Sequence, residues 1–359
     1  MNVSHSKSGH NAAIIALDIV LSPTTCLLGV LGNIASIFIL KKMNKIQVNI
    51  TIFLLCALAV IDTLHLICNG SYIVYYRTCH WPGMACKGEA KPAYLSRKLA
   101  ERIWRILTLI FRTLGIWMIV LITFERFIGI CHPFYLTRVC RIQVMKRVTL
   151  ALSLLCVVYN MPRFFACTIP ENQKKKKLTC GWEKSDYYLI GYELIAQSLL
   201  VYIGPVLFVI YANGRIIYSM RKIIKFDETS IQSRNKSRKD SNRTFTKISV
   251  AIAIIFLICL IPRNIFKLIL VISDEMDAPL NLSRESIKIL RSLFKYSIIL
   301  NSSVNFIVYC VAREGFRNRL KLLLRRGSSV SLKTDSTIVP LQAQIRNIIL
   351  CIYAKYHLI

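Results

Sequence analysis

The sequence predicts an all-α membrane protein: a seven-transmembrane helix bundle with a short interfacial eighth helix. Three observations predict it. Hydrophobic residues make up 54% of the 359 residues and charged residues only 18%, whereas a soluble domain has about 25% charged residues. The apolar residues are concentrated in seven long blocks, and a basic amphipathic segment follows the last block. This composition excludes an ordinary soluble enzyme and a disordered protein.

Each apolar block is long enough to cross a bilayer, which takes a helix of about 20 residues. Lipid excludes open sheets and loops because their backbone groups would lack hydrogen bonds. The blocks cover approximately residues 12–40, 48–76, 103–125, 148–168, 187–214, 248–273 and 289–312. We therefore expect an N-terminal extracellular tail (1–11), a seven-span domain (12–312), an amphipathic interfacial helix (313–326) and a cytoplasmic tail (327–359).

The positions of Lys and Arg predict the topology. The formal net charge is +30, and the basic residues lie largely between and after the apolar blocks, which favours membrane topology over nucleic-acid binding. The segments 41–47, 126–147, 215–247 and 313–359 together hold 27 basic residues, against 14 in the segments on the other side of the bilayer. The positive-inside rule then predicts a multi-pass plasma-membrane protein with its N-terminus outside and its C-terminus in the cytoplasm. The run Lys174–Lys177 departs from the rule and is interpreted as a solvated outer loop.

The predicted outer side contains candidate modification sites. Asn2 and Asn281 begin glycosylation sequons. Cys79, Cys86 and Cys180 lie in predicted outer segments, in an oxidising compartment, and are disulfide candidates. A bridge between the first outer loop and Cys180 is expected, but the spacing leaves the pairing open.

Polar side chains inside the predicted spans point to function, because they are costly in lipid. Asp62 is the one acid deep in the second span, Asn33 lies in the first, and Asn301 and Ser302 lie in the seventh. We call these four residues the polar core and expect them to form hydrogen bonds with one another around water or a cation such as sodium near Asp62. The alternative is that they only hold the helices together.

The tripeptide Glu125-Arg126-Phe127 stands at the predicted cytoplasmic end of the third span. Adjacent opposite charges predict an ion pair that can be broken, and Arg126 can exchange partners through its five donors. The alternative is a charge at a helix end that sets topology.

A basic segment after the seventh span has one apolar stripe. Phe316, Leu320, Leu323 and Leu324 recur at helical spacing. The segment is too short to span the bilayer, so we expect it to lie on the anionic inner leaflet.

Six motifs occur in order along the chain: Gly32-Asn33, Leu58-Ala59-Val60-Ile61-Asp62, Glu125-Arg126-Phe127, Pro205, Cys259-Leu260-Ile261-Pro262 and Asn305-Phe306-Ile307-Val308-Tyr309. Together they resemble a rhodopsin-like (class A) G-protein-coupled receptor, over about residues 12–326. The resemblance implies a heterotrimeric G protein as partner, with Glu125, Arg126, Asn305 and Tyr309 as switch residues, and an arrestin-like partner for the phosphorylated tail.

The chain departs from the family pattern at four positions. Glu101 stands where the family usually has a disulfide cysteine, and Leu260 replaces a tryptophan. Phe306 replaces a proline. Gly115 replaces the serine near the family's sodium site and so removes one ligand.

A narrower similarity is carried by Asn160–Phe165, Cys259–Arg263 and Asn301–Phe306. These segments look like those of invertebrate FMRFamide-type neuropeptide receptors. The resemblance implies a short, amidated peptide ligand.

Helical spacing predicts where a ligand would bind. The candidates lie in the outer halves of four spans: Thr108, Arg112, Tyr192, Glu193, Arg263, Lys267, Arg291 and Lys295. Basic residues cost about 2.5–3.5 kcal/mol each at mid-membrane, so we expect a water-filled cavity faced by Arg112, Arg263 and Lys295. Lys267 and Arg291 could instead reach outward to the membrane surface. Glu193 could pair with a cationic ligand.

Two other functions fit parts of the sequence. An anion transporter or channel would explain the basic residues, although no internal repeat is visible in the sequence. A receptor-like protein that signals little and acts as a dimer partner or scaffold would explain the departures from the family pattern. The sequence shows no nucleophile–base pattern, metal-ligand spacing or cofactor-binding motif, so we expect neither an enzyme nor a cofactor.

Overall fold

The structure, a computed structural model, describes residues 16–44, 50–80, 91–165, 185, 187–229, 236–275, 282–312 and 314–329. Within these ranges the chain is helical almost throughout and contains no strand. The predicted all-α architecture is therefore confirmed.

The helices follow one another with short breaks. In chain order they are Ser22–Asn44, Ile50–His80, Lys91–Cys131, Pro133–Val139, Ile142–Asn160, Pro162–Phe165, Gly204–Thr229, Lys236–Glu275, Arg284–Ser303, Asn305–Ala312 and Glu314–Ser329. Wider π-helical turns form Ala16–Leu21 before the first helix, and Tyr187–Ala196 and Ser198–Ile203 before the helix that begins at Gly204.

Six helical segments of the described chain are long and apolar enough to cross a membrane. We call them spans 1 to 6: Ala16–Lys42, Ile50–Ile73, Leu99–Cys131, Ile142–Phe165, Ser198–Ile224 and Arg243–Leu270. The pair Glu285–Ser303 and Asn305–Ala312 passes the same criterion with a bend of 46° between its halves. Counted as one span 7, the pair completes the predicted bundle of seven.

Two helices extend beyond their apolar blocks. The third helix begins at Lys91 rather than near residue 103, and the second ends at His80, so Cys79 lies in a helix and not in the predicted loop. Hydropathy marks where lipid begins, whereas helical hydrogen bonds continue into water. The block boundaries therefore underestimate both helices.

The bend in span 7 occurs without a proline at the break. The Ser303 hydroxyl donates to the carbonyl of Ile299 at 2.8 Å, and such back-bonding competes with the backbone ladder and bends helices. The ladder still continues through Val304, whose N–H donates to Leu300 at 3.0 Å. The bend is thus compatible with Phe306 at the position where the family has proline.

The last helix, Glu314–Ser329, packs against the inner end of span 7. Phe316 and Leu320 are buried, and the Phe316 ring centroid lies 5.9 Å from Phe306 and 5.7 Å from Tyr309. Arg317 donates to the carbonyls of Cys310 and Val311, which satisfies groups left open at the end of span 7. The side chains of Leu323 and Leu324 lie outside the described residues.

A close approach of spans 1 and 7 requires glycine. A Cβ atom added at Gly32 would lie 2.9 Å from the Cβ of Phe306 and 3.1 Å from its Cγ. The backbone of span 1 therefore touches the residue that replaces the family's proline.

Gly32→Ala is expected to lower thermal stability, because the added methyl group overpacks the contact at a typical cost of about 1–3 kcal/mol. The measurement is the unfolding midpoint of the purified protein. Gly214→Ala is the matched control, since a Cβ there meets nothing within 4 Å, and alanine favours a helix over glycine by up to about 1 kcal/mol. Equal midpoints for the two variants would contradict the packing argument.

Candidate functional site

Glu125 and Arg126 form a buried ion pair at the inner end of span 3. Arg126 donates through Nε to the Glu125 carboxylate at 2.6 Å and through Nη2 to its other oxygen. Their exposed fractions are 2% and 8%. We call this contact the inner ion pair. It is bidentate, the arrangement that gives strong and directional charge-assisted hydrogen bonds.

Thr51 of span 2 joins the inner ion pair. Its hydroxyl donates to both carboxylate oxygens of Glu125 at 3.2 Å and accepts from Nη2 of Arg126. The contact therefore ties span 3 to span 2. Sequence reasoning missed Thr51, because nothing in the spacing relates it to residues more than seventy positions away.

Cys140, between spans 3 and 4, lies buried near the inner ion pair. Burial raises the pKa of its thiol to about 11, and Glu125 raises it further while Arg126 lowers it. The thiol is therefore uncharged at neutral pH and does not compete for either partner.

Hydrogen bonds hold three residues of the polar core, Asn33, Asp62 and Ser302, across spans 1, 2 and 7, and the fourth, Asn301, lines a neighbouring cavity. Asn305 donates to the Asp62 carboxylate at 2.7 Å. Asn33 donates to the backbone carbonyl of Ser302 at 3.0 Å, and the Ser302 hydroxyl shares a hydrogen bond of 3.1 Å with Nδ1 of His65. Asn305, a predicted switch residue, therefore binds Asp62 directly.

His65 is a member of this set that the sequence analysis did not single out. It is 2% exposed and lines a cavity next to Asp62. The available signal was its spacing, because a residue three positions after Asp62 lies on the same helix face.

Several polar atoms near the polar core have no hydrogen-bond partner among the described residues: Oδ1 of Asn33, Nε2 of His65 and the hydroxyl of Tyr309. Such atoms indicate room for water. A Cβ added at Gly115 would lie 3.8 Å from Oδ1 of Asp62, so the glycine opens space on that side. The described part of the chain contains no group of three or more His, Cys, Asp or Glu side chains placed to hold a metal ion.

A cavity of about 360 Å³ lies above the polar core, between spans 2, 3, 6 and 7. This figure includes space open to solvent, and the part that the centre of a water molecule can reach is about 20 Å³, which is room for about one water. Its lining includes Asp62, His65, Arg112, Gly115, Leu260, Asn301 and Ser302. Arg112 therefore faces the cavity as expected, and Leu260 lies in its wall where the family has tryptophan.

A chain of hydrogen bonds runs from Arg112 to the outer part of span 6. Nη2 of Arg112 donates to the hydroxyl of Tyr202, which also accepts from Gln197 at 3.3 Å. Lys267 donates to Oε1 of Gln197 at 2.8 Å. Arg263, one turn before Lys267, lies within electrostatic range of Arg112 and Tyr202. Lys267 thus binds a group inside the bundle rather than reaching only outward.

Tyr192 binds Arg163. Nη1 of Arg163 donates to the Tyr192 hydroxyl at 2.7 Å and to Asn160 at 2.5 Å, and its guanidinium lies 4.7 Å from the centroid of the Tyr192 ring. The Tyr192 hydroxyl in turn donates to the carbonyl of Tyr159 at 2.5 Å. Arg163 is 7% exposed although it is a charged residue near the end of span 4.

The other predicted ligand residues lie away from the cavity. The Thr108 hydroxyl donates to Trp104 of its own helix at 2.8 Å, and Arg291 is exposed. Lys295 does not line the cavity beside Arg112. Its ammonium lies 5.3 Å from the ring centroid of Tyr72 in span 2, and the aromatic face attracts the cation there.

Several predicted residues lie outside what the structure describes. These are Asn2, Cys86, Cys180 and Asn281, together with the side chains of Cys79 and Glu193.

The family model described as "7 transmembrane receptor (rhodopsin family)" matches residues 32–309. The chain belongs to this family. It is a multi-pass membrane receptor and not an enzyme, and the family does not favour the transporter alternative.

The chain is also similar to individual receptors. The chain is 25% identical to the FMRFamide peptide receptor frpr-18 of Caenorhabditis elegans over 332 residues, which covers 89% of this receptor and 72% of that one. It is 28% identical to the FMRFamide receptor of Drosophila melanogaster over 309 residues (83% and 51%), so it spans about half the length of that relative. The neuromedin U receptor homolog nmur-2 of C. elegans is 24% identical over 333 residues (86% and 79%).

Tyr192→Phe is expected to lower the receptor's thermal stability, because Arg163 loses a hydrogen bond while the ring remains. Losing such a bond to a buried charged group typically costs about 1.5–3 kcal/mol. The measurement is the unfolding midpoint without ligand. Tyr218→Phe is the matched control, since Tyr218 is 67% exposed. An unchanged midpoint for Tyr192→Phe would contradict the structural role.

Proposed function

We propose that this receptor binds a short, amidated peptide in its outer half and activates a heterotrimeric G protein at its cytoplasmic end. The family match over residues 32–309 carries the proposal. It is supported by relatives whose names are those of FMRFamide and neuromedin U receptors.

The proposed topology has the N-terminus outside and the C-terminus in the cytoplasm of a plasma-membrane receptor. The distribution of basic residues in the sequence supports it. Asn2 and Asn281 are then glycosylation sites, and Cys180 pairs with Cys79 or Cys86. The basic helix Glu314–Ser329 lies on the anionic inner leaflet, and phosphorylation of the tail recruits an arrestin.

The proposed ligand site is the outer cavity and its rim. Arg112 contacts the ligand from the cavity wall, with Arg263 and Lys267 beside it. The remaining proposed contacts are Glu193 and four residues that lie outside the cavity lining: Thr108, Tyr192, Arg291 and Lys295. Arg112 is positioned for this role because Tyr202 orients its guanidinium through a hydrogen bond.

In the proposed mechanism the ligand favours a state in which the inner ion pair is broken. Arg126 leaves Glu125 and Thr51, while Asn305 and Tyr309 rearrange at the bend of span 7. The polar core joins the two events, since Asp62 and Ser302 line the cavity and Asp62 binds Asn305. Water beside Asp62 is proposed to belong to the inactive state, and no step is assigned to sodium because Gly115 removes one ligand of the family's sodium site. The ligand shifts this equilibrium only by its differential affinity for the two states.

The first experiment measures G-protein dissociation in cells that express the receptor, against a panel of short amidated peptides. A sub-micromolar response to at least one peptide is expected. Silence across the panel, with the receptor shown at the surface, would contradict the proposed function and favour a receptor that signals little.

Thr51→Val is expected to raise ligand-independent signalling. The substitution keeps the shape but removes the hydroxyl that holds the inner ion pair, and losing a hydrogen bond to a charged group costs the inactive state about 1.5–3 kcal/mol. Basal G-protein dissociation is measured at equal surface expression. Thr63→Val is the matched control in the same span, because the Thr63 hydroxyl donates only to Ala59 of its own helix. Basal signalling that stays at the level of the control would refute the role of Thr51.

Arg126→Ala is expected to give the opposite result from Thr51→Val, although both remove the same contact. The arginine is proposed to act in the open state as well, so its loss abolishes signalling while the receptor still reaches the surface. Surface labelling and ligand-stimulated G-protein dissociation are measured together. Full signalling by this variant would contradict the proposed switch.

A further inference from the structure

Three basic side chains of spans 3 and 6 are gathered around one phenol of span 5. Arg112, Arg263 and Lys267 all lie within electrostatic range of Tyr202. Arg263 and Lys267 are four residues apart and therefore share a helix face, and Arg112 approaches from span 3. We call these three residues the anion cluster.

Two charges of the anion cluster, those of Arg112 and Arg263, are not balanced by a carboxylate within the described part of the chain. Arg112 and Arg263 form no hydrogen bond or ion pair with a described carboxylate there, and Nε of Arg112 has no hydrogen-bond partner. The one described acid in the cavity lining, Asp62, accepts a hydrogen bond from Asn305. The hydrogen-bond partner of Arg112, the hydroxyl of Tyr202, is neutral.

This arrangement is unfavourable until an anion enters. Arg112 and Arg263 repel each other within the bundle, where charges are screened less than in water. A carboxylate between them would relieve the repulsion and accept hydrogen bonds from the open positions of the guanidinium groups. Because the side chains stand on helices and Tyr202 fixes Arg112, little ordering is needed on binding.

We propose that the anion cluster binds a carboxylate of the receptor's peptide ligand. This inference rests on the proposed peptide-receptor function and adds the chemical class of the contact. Because the proposed peptide is amidated, the carboxylate belongs to an acidic side chain; a preference for a free C-terminal acid in the second test would support the anion cluster and contradict the amidation. The adjoining lining contains apolar as well as polar side chains, so an acidic lipid is the competing ligand that the tests below distinguish from a peptide.

The first test uses small probes, so it does not depend on signalling. Purified receptor is unfolded thermally in N-acetylglutamate or in N-acetylglutamine at equal ionic strength. N-acetylglutamate is expected to raise the midpoint, because a ligand that binds the folded state stabilises it, whereas the neutral isostere has no effect. Arg263→Gln abolishes the rise, and Arg105→Gln, an exposed position of span 3, retains it. Equal midpoints in the two probes, or a rise that survives in Arg263→Gln, would overturn the proposal.

The second test uses peptides of identical sequence that differ in one group. One pair carries Asp or Asn at a single position, and the other ends in a free acid or an amide. The acid-bearing member of one pair is expected to be about ten- to a hundredfold more potent, the range for a hydrogen bond to a charged group. The advantage disappears in Arg112→Gln and Arg263→Gln, and the pair in which it occurs identifies the source of the carboxylate.

Charge reversal keeps the test informative if a neutral variant folds poorly. Arg263→Glu is expected to favour a peptide with Lys at the position where the wild type favours Asp. Equal potency of acid and neutral peptides on the wild-type receptor would overturn the anion cluster but leave the peptide-receptor function intact. A response to lysophosphatidate alone would overturn the peptide carboxylate. Stabilisation by N-acetylglutamate without any peptide response would support the anion cluster and contradict the peptide-receptor function.

Discussion

The lipid bilayer offers no hydrogen bonds, so every polar group inside a span must be satisfied by the protein or by enclosed water. Because of this constraint the backbone of each span is helical, and the polar side chains bind one another in groups. Asp62 is bound by Asn305, and Arg126 by Glu125 and Thr51. Arg163 is bound by an amide of span 4 and by a tyrosine of the helical turns Tyr187–Ala196 that precede span 5. Each of these hydrogen-bonded groups joins different helices. The contacts that lower the cost of burying polar side chains therefore also determine how the spans pack.

Span 7 connects the outer cavity with the inner end of the bundle. Ser302 lines the cavity and binds His65, Asn305 binds Asp62 after the 46° bend, and Tyr309 packs on Phe316 of the last helix. These contacts lie within three helical turns. A change in the cavity lining can therefore alter the inner contacts through span 7. The two halves of this span already differ in direction, and a two-state switch requires an element of this kind.

The electrostatics of the cavity set this receptor apart from what the names of its relatives suggest. An Arg-Phe-amide peptide brings a cation, whereas the described cavity wall holds Arg112 and has Arg263 within electrostatic range. Lys267, which donates to Gln197, adds a positive charge one helical turn beyond Arg263. Identity of about a quarter accompanies membership of one family, but ligand chemistry depends on a few side chains that change independently of the fold.

The sequence by itself determined the number of spans, the basic last helix and the proximity of Glu125 to Arg126, because hydropathy and adjacent charges act locally. It also marked Asp62, Asn33 and Ser302 as costly polar residues, although not their partners. Only the tertiary structure decided that Thr51 joins the inner ion pair, that His65 joins the polar core, that Tyr192 holds Arg163 and that Lys295 turns toward Tyr72. Helical spacing assigns a residue to a face, whereas its partner depends on how each helix is rotated and on which distant residue the fold brings opposite.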